Sequence, residues 1–306
     1  MSTITLKIDV DTYRGTLDGV PRLAAALERA GAKATFLFSL GPDHTGRAIK
    51  RVFRRGFLGK VRRTSVVSHY GIRTLLYGVL LPGPHIGRRC AAVMQDVARR
   101  GFEVGIHTYD HIKWQDGVAR ADEAWTRRQL DLAREEFVRV FAREPVTHGA
   151  AGWQMNPHVP GLQAALGLRY VSDTRGTNPF VPLVDGQEIA VPQLPTTLPT
   201  LDELIGREDL GGQEPVDHLL SLTEDGHDHV FTLHAELEGG AYLEGFERLL
   251  REWQARGHRL IDLATYAASL DIARLPRCPI ESGTVAGRAG TLAVQGGTLA
   301  VQGGPL

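Results

Sequence analysis

Two aspartates near the N-terminus and two histidines further along the chain have residue types and spacings suited to holding a metal ion. His107 and His111 stand at i and i+4 in the segment HTYDH, so their imidazoles can point together from one helical turn. Asp9 and Asp11 stand at i and i+2 near the end of an extended segment, which places both carboxylates on one face of the chain. One carboxylate and two imidazoles leave coordination positions open for water and substrate, which is typical of a catalytic metal site.

Each part of this pattern also has an ordinary explanation. An aspartate after a strand commonly caps a helix, and HxxxH without the glutamate of HExxH need not bind metal. His234 ends the apolar segment 230–234 and could be a partly buried ring bonded to a backbone carbonyl. Taken together, however, the two aspartates and three histidines offer a metal site, a general base and a general acid.

The same residues stand at the ends of segments that alternate between strand and helix patterns. Strands are predicted at 3–10, 34–40, 102–107, 146–150, 168–172, 188–191 and 229–234, helices at 20–30, 121–142 and 242–255, and a strand–helix pair at 258–270. This alternation predicts an α/β fold with parallel strands, and six or seven strands suit a distorted (β/α)7 barrel over residues 1–275. Barrel active sites lie at the C-terminal strand ends, which is where these candidates fall.

The stretch 44–95 departs from this alternation and carries segregated positive charge. It contains eleven lysines and arginines and no acidic residue, although the whole chain has 35 basic and 35 acidic residues. Apolar and aromatic residues are interleaved with the cations, which favours a basic amphipathic insertion that binds a membrane surface or an anionic lipid. A solvated arginine-rich insertion, or a helix pair that docks a partner, would have the same composition.

The tail from 281 to 306 contains a repeat, TLAVQGG at 291–297 and again at 298–304. Two short copies with paired glycines and no charge cannot bury a core of their own. We therefore expect residues 281–306 to form a disordered, dispensable tail.

Composition excludes several other classes of protein. The 42% hydrophobic content is ordinary for a globular protein, and the apolar runs are too short for a spanning helix. Cys90 and Cys278 lie outside any CxxC spacing, so we expect reduced thiols rather than a disulfide or a thiolate zinc site. The sequence has no phosphate-cradling loop, no GxSxG elbow and no basic leader followed by an apolar export signal.

The sequence resembles the polysaccharide deacetylase (NodB homology) family of metal-dependent carbohydrate N-deacylases. The resemblance runs from the first strand to about residue 270 and rests on Asp9-x-Asp11, His107-x-x-x-His111 and the late strand that ends in His234. The segments 8–16, 19–23, 39–43, 150–153, 197–200 and 234–239 are similar to the branch of this family that deformylates a lipid-linked formamido sugar.

The resemblance implies a role for each of these residues. Asp11, His107 and His111 would hold a divalent ion, which is usually zinc in this family, with cobalt, nickel or manganese as substitutes. Asp9 would take a proton from the attacking water, and His234 would protonate the leaving sugar amine.

One departure from the family pattern concerns the cation beside the base. Most of the family has an arginine in the segment that here spans 149–153, and this sequence has none there. We expect Arg175 to supply that cation and Asp173 to orient and charge His234, although a surface arginine and a turn aspartate are the ordinary explanations.

Further residues are expected to contact the substrate. Trp153 would line the sugar pocket, unless it is a core tryptophan, and the backbone N–H groups around Gly152 would complete an oxyanion hole. Tyr109, Glu236 and Arg14 are the remaining candidates for substrate binding.

The resemblance also implies a substrate and a location. The substrate would be undecaprenyl phosphate-linked 4-deoxy-4-formamido-L-arabinose, and its deformylation would serve lipid A modification and resistance to polymyxin-type peptides. The enzyme would then attach peripherally to the cytoplasmic face of a bacterial inner membrane, without nucleic acid and without an obligate protein partner. The alternatives are an N-deacetylase of another glycan and a non-catalytic module that binds a lipid-linked glycan.

Overall fold

The computed structural model describes residues 2–48, 74–224 and 226–297. Its strands are β1 Thr3–Val10, β2 Thr35–Ser39, β3 Glu103–Thr108, β4 Thr147–His148, β5 Tyr170–Val171, β6 Val181–Val184, β7 Gln187–Glu188, β8 His229–His234, β9 Arg259–Ile261, β10 Arg277–Gly283 and β11 Leu292–Gln295. Its α-helices are α1 Val20–Ala30, α2 Ile86–Arg99, α3 His111–Gly117, α4 Glu123–Phe141, α5 His158–Ala165, α6 Leu201–Leu204, α7 Pro215–Ser221, α8 Leu243–Ala255 and α9 Leu263–Ala268. A π-helical turn, Gly15–Gly19, leads into α1, and short 3₁₀ turns include Ala151–Trp153.

The main sheet has seven parallel strands and curls into an incomplete barrel. Its order is β5-β4-β3-β2-β1-β8, and β9 pairs with the N-terminal half of β1. An irregular segment closes the gap between the sheet edges, because the Leu194 amide donates to Val171 of β5 at 2.7 Å and the Thr197 amide donates to Val230 of β8 at 3.1 Å. This architecture confirms the predicted α/β fold.

The hydrophobic core lies between the sheet and the helices that cover it. On β1, one alternating set of side chains, Ile4, Leu6, Ile8 and Val10, is fully buried against this core. Burying a side chain of this size contributes about 1.5–3 kcal/mol, so this face fixes the register of the strand. The opposite set, which includes Lys7 and Asp9, therefore faces the inside of the barrel.

Residues 188–191 were predicted to form a barrel strand, and this prediction is wrong. Among them, Glu188 lies in β7, which pairs antiparallel with β6 in a separate four-stranded sheet of order β11-β10-β6-β7. Asp185 and Gly186, with φ of 50° and 78°, form a tight hairpin turn between β6 and β7. The local turn residues therefore override the weak strand pattern that follows them.

The prediction of a disordered tail is also wrong for residues 281–297. The first copy of the repeat contains β11, which pairs antiparallel with β10, and Arg175 exchanges backbone hydrogen bonds with Ala293 and Gln295 at 2.9 and 2.8 Å. The side chains of Val285 and Leu292 are buried against Trp153. The tail is ordered because its apolar residues pack on a buried tryptophan of the barrel. Residues 298–306 lie outside the described residues.

The predicted basic insertion at 44–95 is only partly within the described ranges, since residues 49–73 lie outside them. Its last residues belong to α2, which buries Ile86, Cys90 and Met94 in the main core. Between these parts, Val79 and Leu80 are exposed by 42% and 76%. In the described part of the chain, no helix is both long and apolar enough to cross a membrane.

Candidate metal centre and catalytic residues

The three predicted metal ligands lie together at the C-terminal ends of β1 and β3. Asp11 directly follows β1, His107 lies in β3, and His111 is the first residue of α3. The Nε2 atoms of His107 and His111 lie 3.2 and 3.4 Å from the two carboxylate oxygens of Asp11. One ligand atom from each residue falls within 4.8 Å of the others, which is the compactness that a single ion requires.

Hydrogen bonds to neighbouring groups orient these ligands. His107 Nδ1 lies 2.7 Å from the carbonyl oxygen of Gly149, to which it can donate, so that Nε2 is left to face Asp11. Asp110 caps α3 by accepting from the Lys113 amide at 3.1 Å, and His44 Nδ1 lies 2.6 Å from its other oxygen. These contacts fix the helix start from which His111 projects.

The electrostatics of the cluster suit a cation. Burial alone would raise the pKa of Asp11, but His111 and His107 outweigh it and hold this pKa well below its usual range. Burial lowers the pKa of His111 to about 4, so its imidazole is neutral at physiological pH and can donate a lone pair. The pKa of His107 is raised against burial by Asp9 and Asp11, whose negative charges favour the charged form of this ring.

The residues present fit a divalent metal ion. Asp11 Oδ1 is buried and has no hydrogen-bond partner among the described residues. A buried carboxylate oxygen without a partner is costly unless something positive faces it. Two imidazole nitrogens and a carboxylate are also the donor types that zinc and related ions accept.

Asp9 is buried beside the metal ligands and is paired with a lysine. Lys7 Nζ lies 3.3 Å from Asp9 Oδ2 and donates to the carbonyl of Ser172 at 3.0 Å, and the Lys7 side chain is completely buried. Lys7 and Asp9 stand at i and i+2 on the inner face of β1. The cation beside the candidate base is therefore Lys7.

The predicted pairing of Arg175 with Asp9 is accordingly wrong. The Arg175 guanidinium lies 2.6 Å from Glu203 and donates to the carbonyl of Leu198 at 3.0 Å. Arg175 follows β5, and its guanidinium is bound by the irregular segment that closes the barrel. The lysine on β1 is already in place beside Asp9, so the missing family arginine has a different substitute from the one expected.

His234 ends β8 and faces the same centre, and its partner is Asp202. Asp202 Oδ1 lies 3.5 Å from His234 Nδ1. Burial would lower the pKa of His234, but Asp202, Asp11 and Glu238 raise it to about 9. His234 is thus protonated at neutral pH, as a general acid must be, although the 41% exposure of the Asp202 side chain lets solvent screen part of this effect.

Asp173 was predicted to orient His234, and the structure places it elsewhere. Its Oδ1 lies 2.7 Å from His148 Nδ1, and its Oδ2 accepts from Gln163 and Gln193. Asp173 is completely buried in this network, inside the barrel. It therefore has a structural role, and the pairing with His234 that the sequence predicted is wrong.

A capping box places Asp202. Thr200 and Glu203 cap α6 reciprocally, with the Thr200 amide donating to Glu203 Oε2 at 3.1 Å. Arg288 from the C-terminal hairpin donates to Glu203 at 2.8 Å and lies 3.0 Å from Asp202 Oδ2. The tail thus adds a cation to the carboxylate that faces His234.

Trp153 lies beneath this network and not on the surface of a pocket. Its side chain is buried, and Lys7, Arg175 and Arg288 lie 5.3, 5.0 and 4.8 Å from its ring. This favours the core interpretation over contact with a sugar. Both Gly152 and Trp153 have positive φ, of 59° and 52°. The Trp153 amide donates to the carbonyl oxygen of Ala150. Of these two amides, therefore, only that of Gly152 remains to bind an oxyanion.

The other predicted substrate contacts are Glu236, Arg14 and Tyr109. Glu236 Oε1 accepts from the amides of Asp11 and Thr12 at 3.1 and 2.8 Å, and burial together with the Asp11 charge raises the pKa of Glu236 to about 8. Arg14 is exposed and lies 3.5 Å from Asp18. Tyr109 is partly buried, with its hydroxyl 3.3 Å from His85.

Curated relatives share most of the chain. It is 35% identical over 250 residues to the "Probable 4-deoxy-4-formamido-L-arabinose-phosphoundecaprenol deformylase ArnD" of Shewanella sediminis (strain HAW-EB3), covering 82% of this chain and 81% of that protein. The protein of the same name from Wigglesworthia glossinidia brevipalpis is 30% identical over 275 residues, covering 90% of this chain and 96% of that one. The chain belongs to the ArnD branch of the polysaccharide deacetylase family. No protein-family model matches the sequence.

Solved structures show the fold of this family. A polysaccharide deacetylase from Mycobacterium smegmatis superposes with a TM-score of 0.62 at 18% identity, covering 93% of this chain and 96% of that one. A probable polysaccharide deacetylase from Pseudomonas aeruginosa PAO1 gives a TM-score of 0.58 at 14% identity, covering 87% and 89%. Together with the ArnD relatives, these neighbours confirm that the chain is a hydrolase of non-peptide carbon–nitrogen amide bonds.

Three residues of the centre escaped the sequence analysis: Lys7, Asp202 and Arg288. Lys7 had a signal, since a lysine two residues before Asp9 in a strand that alternates apolar and polar residues must face the same side as Asp9. Asp202 lies inside a T-x-x-E capping box, which marks a helix start but not its neighbours. Arg288 had no signal, because the tail that carries it gave no pattern of a folded element.

Proposed function

We propose that this protein removes the formyl group from undecaprenyl phosphate-linked 4-deoxy-4-formamido-L-arabinose, releasing formate and the free amino sugar lipid. The observation that carries the proposal is the meeting of Asp9, the Asp11–His107–His111 cluster and His234 at one end of the barrel. The names of the curated ArnD relatives support the substrate. We propose that the reaction needs a divalent metal ion, and zinc fits the two histidines and the aspartate best by ligand type.

Asp9 acts as the base that takes a proton from the attacking water. Its carboxylate is 4% exposed and has Lys7 at 3.3 Å, so it is kept close to one orientation. Asp9 Oδ1 is buried without a hydrogen-bond partner among the described residues, which leaves that oxygen available to a water proton. A divalent ion at Asp11, His107 and His111 would polarise the formyl carbonyl and acidify the attacking water.

His234 acts as the acid that protonates the leaving amine. The amine leaves poorly unless it receives a proton as the carbon–nitrogen bond breaks. Asp202 favours the charged imidazole, and the His234 amide donates to Glu238 at 2.9 Å, which fixes the backbone at the end of β8. Base and acid come from paired positions, since Asp9 and His234 stand opposite each other on neighbouring strands.

The substrate proposed here places the enzyme at a membrane surface. The exposed run Val79–Leu81 and the basic stretch 44–95 favour peripheral binding to an anionic bilayer. We propose the cytoplasmic face of a bacterial inner membrane. Co-sedimentation with phosphatidylglycerol vesicles should weaken with salt and with Leu80→Ser, whereas Ile272→Ser, at an exposed apolar residue elsewhere, should have no effect.

The biological consequence follows from charge. Deformylation exposes an amine, and transfer of the amino sugar to lipid A phosphates would reduce the negative surface charge that attracts cationic peptides. We therefore propose a role in polymyxin resistance. Loss of the gene in its own host should raise sensitivity to polymyxin, and restoring the wild type but not Asp9→Asn should reverse this.

The direct test is formate release from the lipid-linked formamido sugar, with and without a chelator. Wild type should release formate only with metal, and Asp9→Asn and His111→Gln should abolish the reaction. His158→Gln, an exposed histidine on α5, is the matched control and should keep full activity. Release of acetate but not formate from N-acetylated glycans would instead support a deacetylase, and binding without any turnover would support a lipid-glycan binding module.

A further inference from the structure

A cleft of about 310 Å3 opens beside the metal centre, at the ends of β1 and β8. Its walls begin where the catalytic residues end, because Thr12 follows Asp11 and Ala235 follows His234. The volume is at the lower end of the range for small-ligand sites, which suits a single sugar phosphate better than a length of polymer. This cleft lies outside the set of residues to which the mechanism assigns chemistry.

Two arginines line the cleft, and they differ from the other cations of the site. Lys7, Arg175 and Arg288 are each held by an acidic side chain. Arg14 has Asp18 at 3.5 Å, and both side chains are about half exposed. Arg22 is exposed and has no salt bridge within the described ranges. The cleft therefore offers a guanidinium that can pair with an anion at little cost.

The backbone around the cleft adds further donors. The amides of Gly239 and Ala241 make no hydrogen bond with another described residue. The turn that carries them packs directly on the π-helical turn, since a Cβ on Gly239 would lie 2.6 Å from the Cα atom of Gly19 and 2.7 Å from its carbonyl oxygen. Only glycine allows this approach, which keeps the loop backbone at the wall of the cleft. Arginines and unpaired backbone amides are the usual ligands of phosphate.

Glu236 gives an independent sign of a ligand here. It lines the cleft and is buried, its Oε1 accepts three hydrogen bonds from Asp11 and Thr12, and its Oε2 is buried with no partner among the described residues. A buried carboxyl oxygen without a partner calls for a hydrogen-bonding group from outside the chain, and a hydroxyl can serve whether that oxygen donates or accepts. A sugar hydroxyl is such a group.

We propose that this cleft binds the phosphate group that links the sugar to its lipid, with Arg14 and Arg22 as the charged ligands. The inference rests on the proposed function, which supplies a substrate whose phosphate and formamide lie at opposite ends of one sugar ring. Thr12, Arg14 and Gly15 line the cleft and directly follow the metal-ligand candidate Asp11 in the chain, so a sugar held in the cleft lies next to the metal centre. The phosphate then fixes which end of the sugar meets the metal.

The test compares two ligands that differ only in the phosphate. The first is the 1-phosphate of the formamido sugar, which is soluble, and the second is the free formamido sugar. For Arg22→Gln the ratio of kcat/KM between the two substrates should fall about tenfold, mainly through KM, and for Arg14→Gln/Arg22→Gln about a hundredfold. Arg29→Gln is the matched control, because Arg29 is an exposed arginine of the same helix that pairs with Glu247.

A binding measurement separates this inference from the proposed function. Chelator-treated protein is titrated calorimetrically with both ligands, so that no turnover is needed. A loss of affinity in Arg22→Gln for the phosphate-bearing ligand alone supports the cleft even if wild type releases no formate, an outcome that would reject only the deformylase. Equal affinities for wild type and the double variant would overturn the inference, as would an equal loss for both ligands. Loss of binding to phosphatidylglycerol vesicles without loss for the soluble ligand would also overturn it, because the arginines would then serve the bilayer.

Discussion

Asp202 lies beside His234, with 3.5 Å between its Oδ1 and the imidazole Nδ1. The two residues come from different parts of the fold, the capped turn of α6 and the end of β8. The carboxylate stabilises the charged imidazole, so the acid stays protonated until the pH is well above neutral. Asp202 thus lies beside His234, where the sequence analysis had expected Asp173.

Replacing Asp202 should move the basic limb of the pH–rate profile to lower pH. In Asp202→Asn the charge that raises the pKa of His234 is lost, so the acid deprotonates earlier as the pH increases. We expect kcat at pH 8 to fall about tenfold, equivalent to roughly 1.4 kcal/mol, and to recover partly at pH 6. Asp173→Asn is the comparison: it should lower stability and leave the limb in place. If the basic limb shifted in Asp173→Asn and not in Asp202→Asn, Asp173 would be the residue that raises the pKa of His234.

Replacing Arg288 should have the opposite sign. The guanidinium lowers the pKa of His234 directly, so Arg288→Gln should move the basic limb to higher pH. The same change removes the cation beside Asp202, so that Asp202 orients the His234 imidazole less firmly. We therefore expect a several-fold lower kcat at neutral pH. Arg274→Gln, in an exposed turn before β10, should change neither quantity. Identical shifts for Arg288→Gln and Asp202→Asn would show that the contacts act through folding and not through charge.

The Lys7–Asp9 pair should be strongly coupled. Removing one partner of a buried ion pair typically costs 3–5 kcal/mol, because the other charge stays buried. Lys7→Met should therefore lower both the free energy of unfolding and kcat, whereas Lys7→Met/Asp9→Asn should regain much of the stability and none of the activity. Urea unfolding and kcat measured for all four proteins form the double-mutant cycle. Additive stability effects would contradict a direct pairing.

Metal binding should release a proton and weaken in acid. The raised pKa of His107 favours its protonated form in the metal-free site, and an ion that binds Nε2 displaces a proton held on that atom. Calorimetric zinc titration in two buffers of different ionisation enthalpy should report this proton, and affinity should fall as the pH drops below that pKa. Free zinc at a hundred times its Kd should stabilise the protein by about 2.7 kcal/mol. His111→Gln should abolish the stabilisation, and His158→Gln should leave it unchanged.

Glu238 should make stability fall as the pH rises. Burial raises its pKa to about 7 from 4.5, so the folded state binds this proton more tightly than the unfolded chain. The contribution is complete below pH 4.5 and is lost as the pH rises through 7, by on the order of 3 kcal/mol. Glu238→Gln keeps the acceptor for the His234 amide but not the proton. In chelator-treated protein, its advantage in unfolding free energy over wild type should appear at pH 8 and not at pH 4.

The fold could be predicted because its signals are local. The helix α1 and the strand β8 begin and end where the sequence pattern places them, since burial on one face repeats with a fixed period along each element. The β10–β11 hairpin could not be predicted in the same way. Its residues have no periodic pattern of their own, and their stability comes from contacts with Trp153 and Arg175, which lie more than a hundred residues earlier.

The metal cluster was also accessible from the sequence. Asp11, His107 and His111 have side chains whose directions follow from strand and helix periodicity, and parallel strands bring their ends to one edge. The partners of the base and the acid were less accessible. Asp173 and Arg175 follow a short strand as expected, but the chain there turns into the barrel wall. Asp173 therefore pairs with His148, and Arg175 pairs with Glu203.

The sequence by itself therefore determined the α/β architecture and where the candidate metal ligands lie, because each depends on residue type and short-range spacing, whereas the proposed roles of Asp9 and His234 come from the family resemblance. Only the tertiary structure decided which charges accompany them. Lys7 beside Asp9 follows from the inward face of β1, but Asp202 and Arg288 reach His234 from segments far apart in the chain. An ion pair needs atoms within about 4 Å, and distances across a barrel are set by packing and not by spacing along the chain.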